Sequence, residues 1–162
     1  MSPADYMSLN EYLYSGEVSN VMDDDHKKLL LNKMSRMLNS FPEIRFAYIH
    51  GSFVKGKAFR DVDIAVYYDD SLPTGKQLDF SLELGARLSH EFHFPVDVHS
   101  LNRASPGFCY EATRGMVLVS RDDGERFDFM EKSWMEYFDY QHLLKQNLHD
   151  LIDGYNVEKT LE

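Results

Sequence analysis

Cysteine and basic residues are scarce in this chain, and no long apolar run occurs in it. The single cysteine, Cys109, excludes an internal disulfide framework and a zinc site built on cysteines, and it favours a reducing, cytoplasmic compartment. Lys and Arg number 17 against 27 Asp and Glu, a formal net charge of −10. This balance argues against stable binding to nucleic acid or to an anionic membrane surface. No stretch approaches the roughly 20 apolar residues of a membrane helix, and the polar residues 1–10 lack the apolar core of a signal peptide.

The apolar residues that are present suffice for a core. Hydrophobic residues make up 43% and aromatic residues 14% of the 162 positions, a length that suits one domain. We expect a loosely ordered arm or a short helix over residues 1–20, and a single domain over residues 21–162.

Apolar periodicity and turn signals predict helices and strands in alternation. The predicted elements are helices over residues 22–40, 75–92 and 125–153, short helical segments after Gly51 and Ser105, and strands over residues 44–50, 62–68, 96–101 and 116–120. This order favours an α/β (α+β) layer fold, a small mixed sheet of about four strands with flanking helices. The triplet Asp122-Asp123-Gly124 predicts a turn before the long C-terminal helix.

Three aspartates are the strongest functional signal. Asp61 and Asp63 open the second predicted strand, and Asp97 lies in the third, where His99 shares its face. Because strand residues two apart point to the same side of a sheet, Asp61 and Asp63 project together. Adjacent carboxylates repel, and a divalent cation removes that repulsion. Mg²⁺ prefers hard oxygen ligands, and two such ions are a common arrangement for phosphoryl chemistry.

A small-residue turn precedes these carboxylates. Gly51 and Ser52 follow the first strand, where backbone N–H groups and the serine hydroxyl can face phosphate oxygens. Lys55, Lys57 and Arg60 add three positive charges within six residues, a local reversal of sign that suits a triphosphate.

The pattern Gly51-Ser52, Asp61-Val62-Asp63 and Asp97 resembles the signature of the DNA polymerase β-like nucleotidyltransferase superfamily. The resemblance runs from about Ile44 to Arg126, and the small size is similar to the minimal nucleotidyltransferase (MNT) branch, antitoxin type. Eight residues separate Ser52 from Asp61, fewer than in most members of that branch.

This resemblance implies a polymerase β-like fold with a long C-terminal helix, and it implies roles for the residues that match. Asp61, Asp63 and Asp97 would bind Mg²⁺, with two ions expected, and Asp97 would also accept the proton of the attacking hydroxyl. Gly51 and Ser52 would hold the triphosphate of ATP, aided by Lys55 and Arg60.

The resemblance also implies a cytoplasmic antitoxin that pairs with a HEPN-type toxin in a hetero-oligomer and transfers AMP to a tyrosine of that toxin. Two alternatives stay open. One is a free-standing nucleotidyltransferase that modifies a small molecule such as an antibiotic. The other is a non-catalytic antitoxin that neutralises its partner by contact alone.

Overall fold

The computed structural model describes residues 20–56 and 58–160. The predicted arm over residues 1–20 therefore lies outside the described residues, except for Asn20. In chain order the elements are β1 (Asn20–Val21), α1 (Asp24–Asn39), β2 (Ile44–His50), α2 (Ser52–Lys55), β3 (Ala58–Phe59), β4 (Val62–Tyr68), α3 (Thr74–Phe92), β5 (Val96–Ser100), α4 (Pro106–Thr113), β6 (Met116–Ser120) and α5 (Asp123–Thr160).

A four-stranded mixed sheet organises the chain, in the order β5-β4-β2-β6. Strand β4 runs parallel to β5 and antiparallel to β2, which is itself antiparallel to β6. A parallel pair needs a crossover, and helix α3 provides it between β4 and β5. The predicted mixed sheet of about four strands is confirmed. Strands β1 and β3 form a separate two-residue antiparallel pair.

The two faces of the sheet are covered by different helices. Alternation along β4 directs Val62, Ile64 and Val66 to one face, where they pack in a core with residues of α1 and α3. A smaller core on the other face joins Phe46 and Ala65 to residues of α4. Odd-numbered residues of β4 and β5 lie on this second face, which fixes the side on which the predicted aspartates project.

Helix α1 matches its prediction closely. Asp23 caps its N-terminus by accepting a hydrogen bond from the backbone N–H of His26 at 2.9 Å. Leu30, Met34 and Leu38 are its buried stripe. The helical periodicity and the acidic start together were sufficient signals for this element.

The C-terminal helix differs from its prediction at both ends. Helix α5 begins at Asp123, so the predicted turn is its first turn instead. The Asp122 carboxylate and carbonyl accept hydrogen bonds from the backbone N–H groups of Glu125 and Arg126, at 3.1 Å each. Capping by Asp122 therefore outweighs the turn preference of Gly124. The helix also runs on to Thr160, beyond the predicted end at residue 153.

The apolar residues of α5 are only partly covered. Apolar periodicity predicts one face of this helix for Phe127, Phe138, Leu144 and Leu148, yet each side chain remains about half exposed, between 48% and 59%. Within the described part of the chain, no helix combines the length and the apolarity needed to cross a bilayer.

Candidate functional site

The parallel pairing of β4 with β5 brings two of the predicted aspartates side by side. Asp63 is the register partner of Asp97, so both carboxylates project from the second face of the sheet. Asp61 lies in the bend directly before β4, two residues from Asp63. Asp97 follows Asp63 by more than 30 residues in the chain, and the pairing of their strands brings the two residues side by side.

Electrostatics links these three residues. The pKa of Asp63 is raised from its ordinary value of 3.8, first by burial and then by the negative charges of Asp61 and Asp97, while His50 and His99 act in the opposite direction. Asp63 and Asp61 are half-buried and Asp97 is exposed. A carboxylate with a raised pKa beside two others is stabilised by a cation placed among them.

The carboxylate oxygens of the three aspartates are of the chemical type that a hard divalent cation binds. Within residues 20–56 and 58–160, no three Asp, Glu, His or Cys side chains are gathered as closely as the ligands of a formed metal site. Asp61, Asp63 and Asp97 nonetheless share one region of the sheet, and the charges of Asp61 and Asp97 raise the pKa of Asp63. Their carboxylate oxygens are the ligands that Mg²⁺ prefers, and they would turn toward a common centre to bind it.

Gly51 lies directly against Asp63. Its φ of 77° lies in the region that favours glycine, and a Cβ built there would collide with Oδ2 of Asp63. The turn therefore approaches the carboxylate only because residue 51 has no side chain. Ser52 begins α2 and is exposed, directly after the glycine that lies against Asp63.

The connection from Ser52 to Asp61 contains a single helical turn. The rest of α2 and both residues of β3 lie within this short connection. Lys55 is exposed, with Nζ 4.0 Å from Oε2 of Glu111 on α4. Arg60 is also exposed, immediately before Asp61. Lys57 lies outside the described residues.

Sequence reasoning missed Lys27, which supports this turn from α1. Its ammonium group donates hydrogen bonds to the backbone carbonyls of Phe53, at 3.0 Å, and of Gly56. It also lies 5.0 Å from the centroid of the Phe53 ring. The contact joins residues 26 positions apart in the chain, and no local pattern signals it.

Two histidines and a phenylalanine border the carboxylates. The Phe108 ring of α4 lies edge-on to His50 and to His99, with centroids 5.5 Å apart in both pairs. His50 Nε2 is buried and has no hydrogen-bond partner among the described residues. Burial is the main cause that lowers the pKa of His50, and the Asp63 charge opposes it. These rings form an aromatic border beside Asp63 and Asp97.

Part of the chain matches a known protein family. Residues 32–124 match the family described as Polymerase beta, Nucleotidyltransferase. The match runs from the second half of α1 to the start of α5, and it includes all three aspartates and the Gly51-Ser52 turn. No curated protein matches the chain.

Several solved structures share the fold. A tri-AMPylated HEPN toxin from Shewanella oneidensis in complex with an MNT antitoxin gives a TM-score of 0.61 at 23% identity, over 78% of this chain and 98% of the matched chain. An MntA–HepT toxin–antitoxin structure gives 0.60 at 23% identity, over 77% and 98%. A toxin–antitoxin structure with AMP-PNP gives 0.58 at 23% identity, over 80% and 99%. At these identities the likeness establishes the fold.

Proposed function

The chain belongs to the polymerase beta nucleotidyltransferase family, and we propose that it transfers AMP from ATP to the hydroxyl group of a protein tyrosine, as an antitoxin acting on a HEPN-type toxin. The supporting observation is the juxtaposition of Asp63 with Asp97, with Asp61 just before the same strand and Gly51 against the Asp63 carboxylate. It unites four of the residues on which the sequence motif depends.

In the proposed site, Asp61, Asp63 and Asp97 would hold Mg²⁺. When bound, this ion offsets phosphate charge and makes an acceptor hydroxyl easier to deprotonate. Gly51 leaves the space beside Asp63 open, and the backbone N–H groups of the turn and the Ser52 hydroxyl donate to oxygens of the β- and γ-phosphates. Lys55 and Arg60 supply positive charge from the exposed side of the same segment.

The transfer is an in-line displacement, in which positioning and charge stabilisation do most of the catalytic work. Asp97 accepts the proton of the acceptor hydroxyl. The hydroxyl oxygen bonds to the α-phosphorus, the bond from that phosphorus to the oxygen bridging to the β-phosphate breaks, and pyrophosphate leaves with the bonding electrons. The acceptor then carries AMP through a phosphodiester bond.

The nature of the acceptor is suggested by the structural neighbours. They include an AMPylated HEPN toxin bound to an MNT antitoxin and a toxin–antitoxin structure with an ATP analogue. The net charge of −10 suits a basic protein partner. ATP as substrate also fits the cytoplasm as the place of the reaction.

The direct test is incubation of the purified chain with Mg²⁺ and ATP labelled on the α-phosphate, with and without a HEPN-type protein encoded beside it. We expect label on the partner and on its tyrosine in a denaturing gel and in mass spectra. ATP labelled on the γ-phosphate is the control and should label nothing, because that phosphate leaves in pyrophosphate.

The alternatives give different results in the same assay. Mg²⁺-dependent ATP binding with no labelled protein, but with labelled antibiotic, would favour a small-molecule enzyme. Neutralisation of the toxin with neither ATP binding nor label would favour a contact-only antitoxin, and the proposed transfer would be wrong.

Lys27 offers a separate prediction about the triphosphate turn. Replacing it with Met keeps the aliphatic stem but removes the hydrogen bonds to the carbonyls of Phe53 and Gly56. The turn therefore loses its support from α1. We expect KM for ATP to rise roughly three- to ten-fold, with a smaller change in kcat. Steady-state kinetics with the labelled assay measures both constants.

Two further variants give controls for Lys27. Lys27→Arg should restore most of the ATP affinity, because a guanidinium can donate to both carbonyls. Lys28→Met changes the neighbouring lysine, whose side chain is 74% exposed, and should behave as the parent. A fall in kcat at constant KM would contradict the positioning role.

A further inference from the structure

The order of groups across the sheet gives the direction from which an acceptor must arrive. Strand order β5-β4-β2 places the Gly51-Ser52 turn at the end of β2, Asp63 on β4 and Asp97 on β5. In an in-line displacement, the attacking and leaving oxygens lie on opposite sides of the phosphorus. If pyrophosphate leaves on the β2 side, the acceptor hydroxyl approaches from beyond β5.

A cleft of about 440 Å³ lies at that position, between the first turns of α3 and α4 along β5. His99 lines it, and His99 is on the same side of β5 as Asp97, two residues away. The cleft therefore reaches a residue of β5 that is two positions from Asp97 and on the same face of the sheet. Its volume falls within the range of small-ligand sites.

Large apolar side chains and polar groups both line this cleft. Leu78 of α3 is 68% exposed, an unusual position for a large apolar side chain that lines a cleft. Half-buried Phe108 of α4 lies opposite. On the floor, the Ser100 hydroxyl donates to Oε1 of buried Gln77 at 3.0 Å, so these polar groups already have partners. A mixed lining of this kind suits a ring that is apolar on its faces and polar at one end, such as a phenol.

We infer that this cleft, the β5 cleft lined by Leu78, His99, Ser100 and Phe108, binds the acceptor tyrosine with its hydroxyl directed toward Asp97. The inference rests on the proposed transfer reaction and specifies its acceptor subsite. Arg103, exposed at the rim, is the cationic group available to backbone carbonyls or acidic residues that flank the tyrosine.

The test uses the full chain and a defined probe, N-acetyl-tyrosinamide, titrated at millimolar concentration in ¹H–¹⁵N NMR spectra. We expect shifts in the signals of Leu78, Ser100 and Phe108. Leu78→Ser should weaken binding roughly three- to ten-fold, through loss of apolar contact. Leu82→Ser is the matched control: Leu82 lies one turn along α3, is 64% exposed, and does not line the cleft.

Two additional titrations distinguish a tyrosine subsite from a nonspecific site and from a nucleotide site. N-acetyl-serinamide should cause no shifts in the cleft, and equal binding of both probes would overturn the preference for an aromatic ring. Leu78→Ser should bind a non-hydrolysable ATP analogue as the parent does. Weakened binding of that analogue with unchanged binding of the tyrosine probe would assign the cleft to the nucleotide and overturn the inference.

Failure of this inference is distinguishable from failure of the proposed function. Labelled partner in the transfer assay, with the tyrosine probe bound elsewhere or not at all, would overturn the acceptor subsite and leave the transferase intact. Cleft shifts in both parent and Asp63→Asn, without any transfer by the parent, would contradict the proposed function and with it the acceptor assignment.

Discussion

Asp63→Asn is expected to abolish AMP transfer, with a loss of at least roughly 10²–10³-fold. Asparagine keeps the shape of the side chain but removes the negative charge that the proposed Mg²⁺ site needs between Asp61 and Asp97. Mg²⁺-dependent ATP binding should weaken in parallel, because a bound cation would offset the charge of the phosphates. The α-labelled ATP assay and a binding titration with and without Mg²⁺ measure the two effects.

Asp128→Asn is the matched control, because it makes the same chemical change at an exposed position on α5. It should retain the activity of the parent. An Asp63→Asn variant that transfers AMP at the parental rate would remove the basis for the metal site, and with it the mechanism proposed above.

The thermal stability of Asp63→Asn shows whether lost activity reflects lost fold. The folded-state pKa of Asp63 is raised above 3.8, so the native state prefers the protonated carboxyl. Below the unfolded pKa, both states carry the proton and parent and variant should be equally stable. As pH rises through the folded pKa, the parent loses stability and the uncharged variant does not. Without divalent cations, we expect Tm of Asp63→Asn at or above the parental Tm at about pH 7, and a smaller difference near pH 3.

Gly51→Ala is the second variant with a large expected effect, on both stability and activity. Alanine at a φ of 77° is strained, which destabilises the native state by about 1–3 kcal/mol, and its Cβ would collide with Oδ2 of Asp63. Relief of the collision displaces either the turn or the carboxylate. Misplacement of a reacting group by about 1 Å lowers rates by up to roughly 10²-fold. Urea unfolding and the transfer assay report the two losses separately.

Gly56→Ala is the internal comparison for Gly51. Gly56 ends α2 with a φ of −140°, which any residue adopts, and the nearest atom to an added Cβ is a backbone oxygen at 3.6 Å. Its free energy of unfolding should stay within about 1 kcal/mol of the parent. If both alanine variants behave alike, the close approach of Gly51 to Asp63 has no energetic consequence.

Most of the elements near the site could be predicted from local signals. The strands of the sheet are β-forming runs between turn residues, and the pattern of Asp61, Val62 and Asp63 shows which side chains share a face. The start of α1 was predictable because Asp23 precedes a regular apolar stripe. In each case the deciding interaction joins residues within a few positions of one another.

Where local signals competed, the prediction was wrong. Gly124 favours a turn, yet the Asp122 cap and a long run of helix-forming residues extend α5 from Asp123. The apolar face expected on that helix is also half exposed at Phe138 and Leu144. Periodicity shows which residues share a side of a helix, but it does not show how far neighbouring elements cover that side.

Short-range spacing and residue chemistry were enough to select the three aspartates and the glycine–serine turn as candidate site residues, and to predict the four strands of the sheet on which they lie. Folding in three dimensions was needed to make Asp97 the register partner of Asp63, to place Lys27 against the turn, and to form a cleft beyond β5 from Leu78 and Phe108. Each of these contacts joins residues about 26 or more positions apart, and strand pairing and helix packing, which act between distant segments, bring them together.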